Sequence, residues 1–115
     1  MLEWHDAVNA QDVERLVALS AENVEVGGPR GAGRGSALLR EWFARAGVRL
    51  EPGRVFAREN RVVVEQDATW PGQPPQIVAS AFEVHDGRVS RVIRYAALTE
   101  ALEAAALDER AAVLG

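Results

Sequence analysis

Four side chains in this sequence could hold a small molecule by hydrogen bonds. Trp4 and Ser80 are donors, Gln66 both donates and accepts, and Arg94 can pair with an anion at two points. Together they suit a small apolar ligand that carries a carbonyl, a carboxylate or an enolate. Each also has a purely structural interpretation: Trp4 packs a helix on a sheet, Gln66 bonds to the backbone, Ser80 fills space, and Arg94 extends into solvent.

Groups for acid–base, nucleophilic or metal chemistry are scarce. The sequence has no cysteine and two histidines, so disulfides, thiolate nucleophiles, a metal site and a cofactor are not expected. His5 is predicted on the solvent side of a first helix, and His85 in a turn. Glu25 should point outward, and Glu65 and Asp67 would reach the interior only if the faces of their strand were exchanged. No residue is therefore predicted to be catalytic.

The composition fits one globular domain spanning residues 1–115. Hydrophobic residues make up 48% and charged residues 26% of the sequence, which is ordinary globular usage. No apolar run is long enough to span a membrane and the first ten residues lack a secretion signal, so a cytoplasmic location is expected. A formal net charge of -4, with arginines scattered along the chain, argues against nucleic acid as a partner.

The first part of the chain predicts three helices and a short strand. Helical spacing breaks at Asn9 to Gln11, and Asp12 is a good N-cap for a second helix. Val24 and Val26 predict the strand. The segment from Gly27 to Gly35 predicts a loop; a phosphate-binding loop is the alternative, but the GxxxxGK[ST] pattern and a βαβ unit are missing.

After the third helix, which Ser36 can cap, the periodicity changes from helical to that of strands. Four strands are predicted in antiparallel order: Val48 to Arg58, Arg61 to Trp70, Gln76 to His85 and Arg88 to Ala96. A last helix, rich in alanine and leucine, is predicted from Leu98 to Val113.

This order of elements resembles the nuclear transport factor 2-like superfamily and its SnoaL-like branch. The resemblance covers nearly the whole chain and is carried by WHDAVNAQDVERLVALSAEN (4–23), VEVGGPRGAGRGSALLREWF (24–43) and AFEVHDGRVSRVIRY (81–95). It implies a cone-shaped α+β barrel of the cystatin-like type. In that fold N-terminal helices pack on a curved, mainly antiparallel sheet, here with a C-terminal helix added.

The ketosteroid isomerase pattern of the superfamily is only partly matched. Val26 stands where that pattern has its general-base aspartate, Trp4 at the oxyanion-stabilising tyrosine and Ser80 at the protonated aspartate. The resemblance therefore implies small-molecule binding without that catalytic base. A lyase or isomerase of the SnoaL-like type with another acid–base group is one alternative, and a dimeric interaction module without ligand is another.

Strand alternation indicates which side chains face the cavity. A three-residue loop at 85–87 with Gly87 left-handed is favoured over a two-residue type I′ turn; it places Ser80 opposite Val92 and turns Arg94 inward. The predicted ligand-binding residues are Trp4, Val26, Phe43, Val64, Gln66, Val78, Ser80, Val92 and Arg94.

The opposite sheet face is predicted to be unusually apolar. It carries Ile77, Ala79, Ala81, Val89, Ile93 and Tyr95. A homodimer through this face is predicted; the alternative is that the C-terminal helix covers part of it or closes the cavity.

Overall fold

The computed structural model of the protein describes residues 2–28 and 31–113. Its helices are α1 (Leu2–Asn9), α2 (Val13–Ala18), α3 (Ser36–Ala46) and α4 (Leu98–Ala105), followed by a 3₁₀ turn, η1 (Glu109–Ala111). Its strands are β1 (Ser20–Gly28), β2 (Gly31–Arg34), β3 (Arg49–Arg58), β4 (Arg61–Thr69), β5 (Gln76–His85) and β6 (Arg88–Tyr95). Ser36 is the first residue of α3 and not its cap, because Gly35 holds the N-cap position.

The strands form one sheet in the order β2-β1-β6-β5-β4-β3. β3 to β6 are an antiparallel meander, as the strand periodicity predicts, whereas β1 runs parallel to β6. Helices α1, α2 and α3 pack on one face of the sheet and enclose the main apolar core with it. The predicted α+β class is confirmed.

Polar contacts fix the first two helices at the break between them. Asp12 caps α2 as predicted and accepts a hydrogen bond from the backbone N–H of Arg15 at 3.1 Å. The side-chain amide of Asn9 bonds both the N–H and the C=O of Leu50, at 2.7 and 2.6 Å. Asn9 therefore anchors the end of α1 on β3.

The glycine-rich segment forms a β-hairpin, so the predicted loop is wrong. β1 continues to Gly28 and pairs antiparallel with β2, so residues 27–28 and 31–34 of this segment belong to the sheet. A Cβ on Gly27 would lie 2.7 Å from the Cβ of Ala32. Glycine thus permits the close approach of these two strands. Nothing in the sequence indicates their pairing, because the segment lacks the alternation of apolar residues that predicts a strand.

The predicted three-residue loop between β5 and β6 is also wrong. Asp86 and Gly87 form a two-residue turn in which both have positive φ, 51° and 76°, as in a type I′ turn. Further along β6 the register shifts at a bulge, where Ser90 has no partner opposite it. The Ser90 hydroxyl donates to the C=O of Glu83 at 3.2 Å.

Because of this bulge Arg94 lies on the predicted face of the sheet, although the turn before it differs from the prediction. Ser80 lies opposite Arg94, and not opposite Val92 as the three-residue loop predicts. Because the extra residue shifts the alternation of β6 by one, Val92 and Arg94 both lie on the helix side. Val89, on the near side of the bulge, packs in the main core and not on the predicted outer face.

The predicted C-terminal helix Leu98 to Val113 is too long. α4 ends at Ala105, after which Ala106 adopts a left-handed φ of 56° and the N–H of Leu107 bonds to the C=O of Leu102 at 2.9 Å. The turn brings the Leu107 side chain into an apolar cluster on the outer face of the sheet. Burial there outweighs the helix propensity of the alanines.

α4 and η1 cover much of the outer sheet face. The cluster beneath them contains Phe56, Val63, Ala79, Ala101, Leu107 and Ala111, with Ala81 and Tyr95 packed against it. Beyond η1, Ala112 forms a β-bridge with Phe56 and the N–H of Val113 donates to the C=O of Val55 at 2.7 Å, which shields the edge of β3. The side chain of Ile77 stays 65% exposed. Homodimerisation through this face remains a prediction, restricted to the area that α4 leaves uncovered.

Charged side chains of alternating sign cross the outer face from β2 to β4. Arg34, Glu25, Arg91, Glu83 and Arg61 are successive cross-strand partners. Oε1 of Glu25 lies 3.1 Å from Nη2 of Arg34 and 3.5 Å from Nε of Arg91. The row supports the parallel pairing of β1 with β6, each exposed ion pair contributing about 0.2–1 kcal/mol.

Leu107→Ala should lower the free energy of unfolding by about 2–4 kcal/mol, because it leaves a cavity beneath the C-terminal turn. Urea denaturation followed by circular dichroism measures this change. Val113→Ala is the matched control, since that side chain is 51% exposed, and should change stability by less than about 0.5 kcal/mol. Equal stability of the two variants would contradict the packing of the C-terminal segment on the sheet.

Candidate functional site

The residues predicted to bind a ligand lie in three different surroundings. Trp4, Val64, Gln66, Val78, Ser80 and Val92 are packed in the core between helices and sheet. Val26 and Arg94 line an open cleft at one end of the sheet. Phe43 lines a smaller depression between α1 and α3. The sequence pattern thus placed the strand residues among them on the correct sheet face, but it did not distinguish the packed core from the open cleft.

Three polar side chains form a chain of hydrogen bonds inside the core. The Ser80 hydroxyl donates to Oε1 of Gln66 at 2.9 Å, and Nε2 of Gln66 lies 2.8 Å from Nε2 of His5. Because Oε1 accepts from Ser80, the amide N–H of Gln66 is directed at His5. The amide of Gln66 therefore joins the Ser80 hydroxyl to the His5 ring.

The prediction that His5 lies on the solvent side of α1 is wrong. Its side chain is 1% exposed and its ring is tilted against Phe82, with centroids 6.1 Å apart. His5 directly follows the buried Trp4, and helical residues one apart are separated by only about 100° around the axis, so both fit within a broad buried arc. The partner that makes this burial tolerable, Gln66, is far away in sequence and gives no local signal.

The open cleft has a volume of about 890 Å³. It lies between the β1–β2 hairpin, α3 and the turn that joins β4 to β5. Side chains with chemical functions around it are Trp42, Arg45, Trp70, Gln73, Gln76 and Arg94. We call this space the mouth cleft.

Arg94 and Trp70 form the best-defined contact in the mouth cleft. The guanidinium carbon of Arg94 lies 4.8 Å from the centroid of the Trp70 ring, within the range of a cation–π interaction. Trp70 directly follows β4 and Arg94 is near the end of β6, so the contact crosses over β5. The indole orients the charged group at the wall of the cleft.

Sequence reasoning missed Trp42, Trp70, Gln73 and Gln76 as candidate ligand contacts. Trp70 ends the predicted inner face of its strand, and Trp42 belongs to the apolar stripe of α3, so both gave a signal for the core only. The glutamines sit around a proline-containing turn, where no periodicity indicates direction.

The smaller depression, of about 350 Å³, is lined mainly by apolar side chains and by Arg40. Arg40 on α3 donates two hydrogen bonds to the Glu14 carboxylate on α2, at 2.7 and 3.1 Å. These hydrogen bonds, and the charge of the guanidinium, hold the pKa of the Glu14 carboxyl below its ordinary value of 4.5. The pair therefore ties α2 to α3 at this depression.

Neither a metal site nor a membrane-spanning helix is found in the part of the chain that the structure describes. Residues 2–28 and 31–113 contain no group of three or more histidine or acidic side chains that could hold a metal ion. No helix within these ranges is long and apolar enough to cross a membrane.

Comparison with known proteins identifies the family. The sequence profile of the SnoaL-like domain matches residues 1–92. The chain belongs to the SnoaL-like family. None of the curated proteins matches it.

Solved structures confirm the nuclear transport factor 2-like fold of this SnoaL-like chain. An NTF2-like protein of unknown function from Cytophaga hutchinsonii has a TM-score of 0.77 at 18% identity, covering 86% of this chain and 88% of its own. A proposed ketosteroid isomerase from Kribbella flavida has a TM-score of 0.74 at 26% identity, covering 82% and 72%. TerC, co-crystallised with polyporic acid, has a TM-score of 0.75 at 21% identity, covering 90% and 92%.

Gln66→Leu should lower the free energy of unfolding by about 1–3 kcal/mol, because the buried Ser80 hydroxyl loses its acceptor and His5 loses the amide. Urea denaturation at pH 7 measures the loss. Replacing Ser80 by Ala as well removes the stranded hydroxyl, so the double variant should be more stable than Gln66→Leu alone. A Gln66→Leu protein as stable as wild type would show that the hydrogen-bond chain contributes nothing.

The Glu14–Arg40 pair should stabilise the fold only above the acid range. Since the pKa of Glu14 is lowered in the folded protein, its contribution is present above pH 4.5 and is lost as the pH falls below that value. The stability difference between wild type and Glu14→Gln should therefore be measurable at pH 7 and shrink towards zero in acid. Glu22→Gln, another exposed carboxylate, is the control; a Glu14 difference that does not change with pH would contradict the assignment.

Proposed function

We propose that this SnoaL-like domain binds a small, mostly apolar molecule with an acidic group in the mouth cleft, and that Arg94 holds the acidic group. The observation that carries the proposal is the Arg94 guanidinium, 4.8 Å from the centroid of the Trp70 ring, at the wall of a cleft of about 890 Å³. A volume of that size is in the range of small-molecule sites. A planar guanidinium binds a carboxylate through two parallel N–H···O hydrogen bonds.

The rest of the lining suits an apolar body with few polar substituents. Val26, Leu38, Trp42 and Trp70 supply apolar and aromatic surface. Gln73 and Gln76 add donors and acceptors near the β4–β5 turn, and Arg45 adds a second, more exposed cation that is paired with Glu41. The expected ligand is therefore a carboxylate or enolate on a largely apolar framework.

The proposed site lies at the mouth and not deep inside the cone. The interior positions that sequence reasoning selected are filled by packed side chains, and Trp4, Gln66 and Ser80 each make contacts within the core. Arg94 belongs to both regions, since it lies opposite Ser80 on the neighbouring strand and also lines the cleft. Arg94 and Val26 are the predicted ligand-binding residues that also line the mouth cleft.

Binding is favoured over acid–base catalysis by the groups present. Among its described lining residues the mouth cleft has neither a carboxylate nor a histidine, and Val26 occupies the position that the isomerase pattern gives to a general base. Support for an acidic ligand also comes from TerC, which has this fold and was co-crystallised with polyporic acid. We therefore propose a binding domain without the ketosteroid isomerase base.

A lyase or isomerase is the second candidate, and the observation in its favour is His5. This imidazole is inside the domain and is connected through Gln66 to Ser80, the direct neighbour of Arg94. General acid–base catalysis would require the substrate to reach this chain. His5→Gln should abolish conversion of any compound that the protein transforms while leaving its binding at Arg94 intact; conversion at the wild-type rate would eliminate His5 as the acid–base group.

Arg94→Ala should weaken binding of aromatic carboxylates at least tenfold, because the anion loses its cation and two-point hydrogen bonding, a loss of about 1.4 kcal/mol or more. The measurement is isothermal titration with benzoate, 2-naphthoate and 9-anthracenecarboxylate. Arg94→Lys should retain part of the affinity, since it keeps the charge without the planar fork.

Arg88→Ala is the matched control, because it removes an exposed cation from the other end of the same strand. It should bind the three acids as wild type does. Absence of binding to wild type by every acid, or equal binding by Arg94→Ala and wild type, would overturn the proposed function.

A further inference from the structure

Leu38 on α3 occupies the place that a side chain at position 33 would take. Gly33 lies on β2 opposite Val26 of β1, and cross-strand partners project to the same face of a sheet. Val26 packs in the main core, so a side chain at position 33 would point towards the helices. A Cβ built on Gly33 would clash with Cδ2 of Leu38 and lie 3.8 Å from its Cγ. The end of the Leu38 side chain therefore fills the position that the glycine leaves free.

The clash at Gly33 differs from the clash at Gly27 in the atoms that it involves. A Cβ on Gly27 would lie 2.7 Å from the Cβ of Ala32 and 3.0 Å from the backbone oxygen of Gly31, and neither atom moves when a side chain rotates. At Gly33 the atom concerned is the end of the Leu38 side chain, which a change of rotamer displaces. A side chain at position 33 would thus turn Leu38 and leave the hairpin in place.

Leu38 belongs to the wall of the mouth cleft. It lies one turn before Trp42 on α3, and both side chains line the cleft together with Val26 and Gly33. Trp42 also packs against the main core, which limits the space on that side of α3. A Leu38 side chain that is turned away from β2 would therefore project into the cleft.

From this contact we infer that Gly33 determines the size of the ligand that the mouth cleft accepts, because it holds Leu38 against β2 and out of the cleft. The inference rests on the proposed function and extends it to selection by size. A side chain at position 33 narrows the cleft and disfavours broad apolar frameworks more than narrow ones. Truncation of Leu38 cancels this effect, since the displaced side chain is then missing.

The test compares a narrow acid with a broad one. Isothermal titration measures binding of benzoate and 2-naphthoate to wild type, Gly33→Ala, Leu38→Ala and the double variant Gly33→Ala/Leu38→Ala. Gly33→Ala should weaken 2-naphthoate relative to benzoate by at least about tenfold, the discrimination that a misfit of one methylene group produces in an apolar pocket. The double variant should restore the wild-type ratio of the two affinities.

Thermal unfolding of the glycine variants separates selection by size from damage to the hairpin. Gly33→Ala should melt between wild type and Gly27→Ala, because its clash is relieved by turning one side chain. Gly27→Ala should melt lowest, and adding Leu38→Ala to it should not raise its melting temperature. If Gly33→Ala melts as low as Gly27→Ala, the hairpin itself is disrupted and the inference is wrong.

The outcomes distinguish this inference from the proposed function. If wild type binds neither acid, or if Arg94→Ala binds both as wild type does, the proposed function fails. If these tests are passed but Gly33→Ala keeps the wild-type ratio, or weakens both acids equally, the proposed function stands and the role of Gly33 is refuted. A double variant that still discriminates against 2-naphthoate also refutes it, since Leu38 is then not the obstacle. Wild type that binds benzoate but not 2-naphthoate would overturn the inference too, because the cleft is then already narrow.

Discussion

The single extra residue in β6 sets the face of every side chain that follows it. The two-residue turn at Asp86 and Gly87 fixes how β6 starts, and with uninterrupted pairing it would place Ile93, and not Arg94, on the helix side. The bulge at Ser90 reverses this alternation. Val89 can therefore enter the main core before the bulge, and Arg94 can reach Trp70 after it. Both the core and the cleft depend on this irregularity, which the Ser90 hydroxyl supports by donating to the opposite strand.

On the helix side of the sheet, the core is filled by packed side chains, whereas the cleft is open. Burying Gln66 and Ser80 is tolerable only because each finds a partner there, and those contacts leave the interior packed with side chains. Open volume persists at the end of the sheet, where the β1–β2 hairpin is built largely from glycine. Gly27 brings the strands together, because a Cβ there would lie 2.7 Å from that of Ala32.

Regular periodicity made much of this architecture predictable. The break before Asp12 and the four-strand meander follow from caps, turns and alternation, which are local properties. Two of the errors arose where a distant contact decides the conformation. His5 is buried because of Gln66 on β4, and α4 stops early because Leu107 packs on the sheet. For the site, alternation gave the correct face of Arg94, but only because the bulge compensated for a wrong turn.

The C-terminal segment and the mouth cleft occupy opposite sides of the sheet, so α4 covers the outer face without closing the cleft. The family profile ends at residue 92, and Arg94 and α4 both follow it. Membership in the SnoaL-like family accounts for the framework that carries Gly28, Trp42 and Trp70, whereas the cation in this framework comes from the part of β6 beyond the match. The case for Arg94 is consequently geometric: it rests on its strand register, its contact with Trp70 and its position in the lining of the cleft. These features support the anion site that we propose at Arg94.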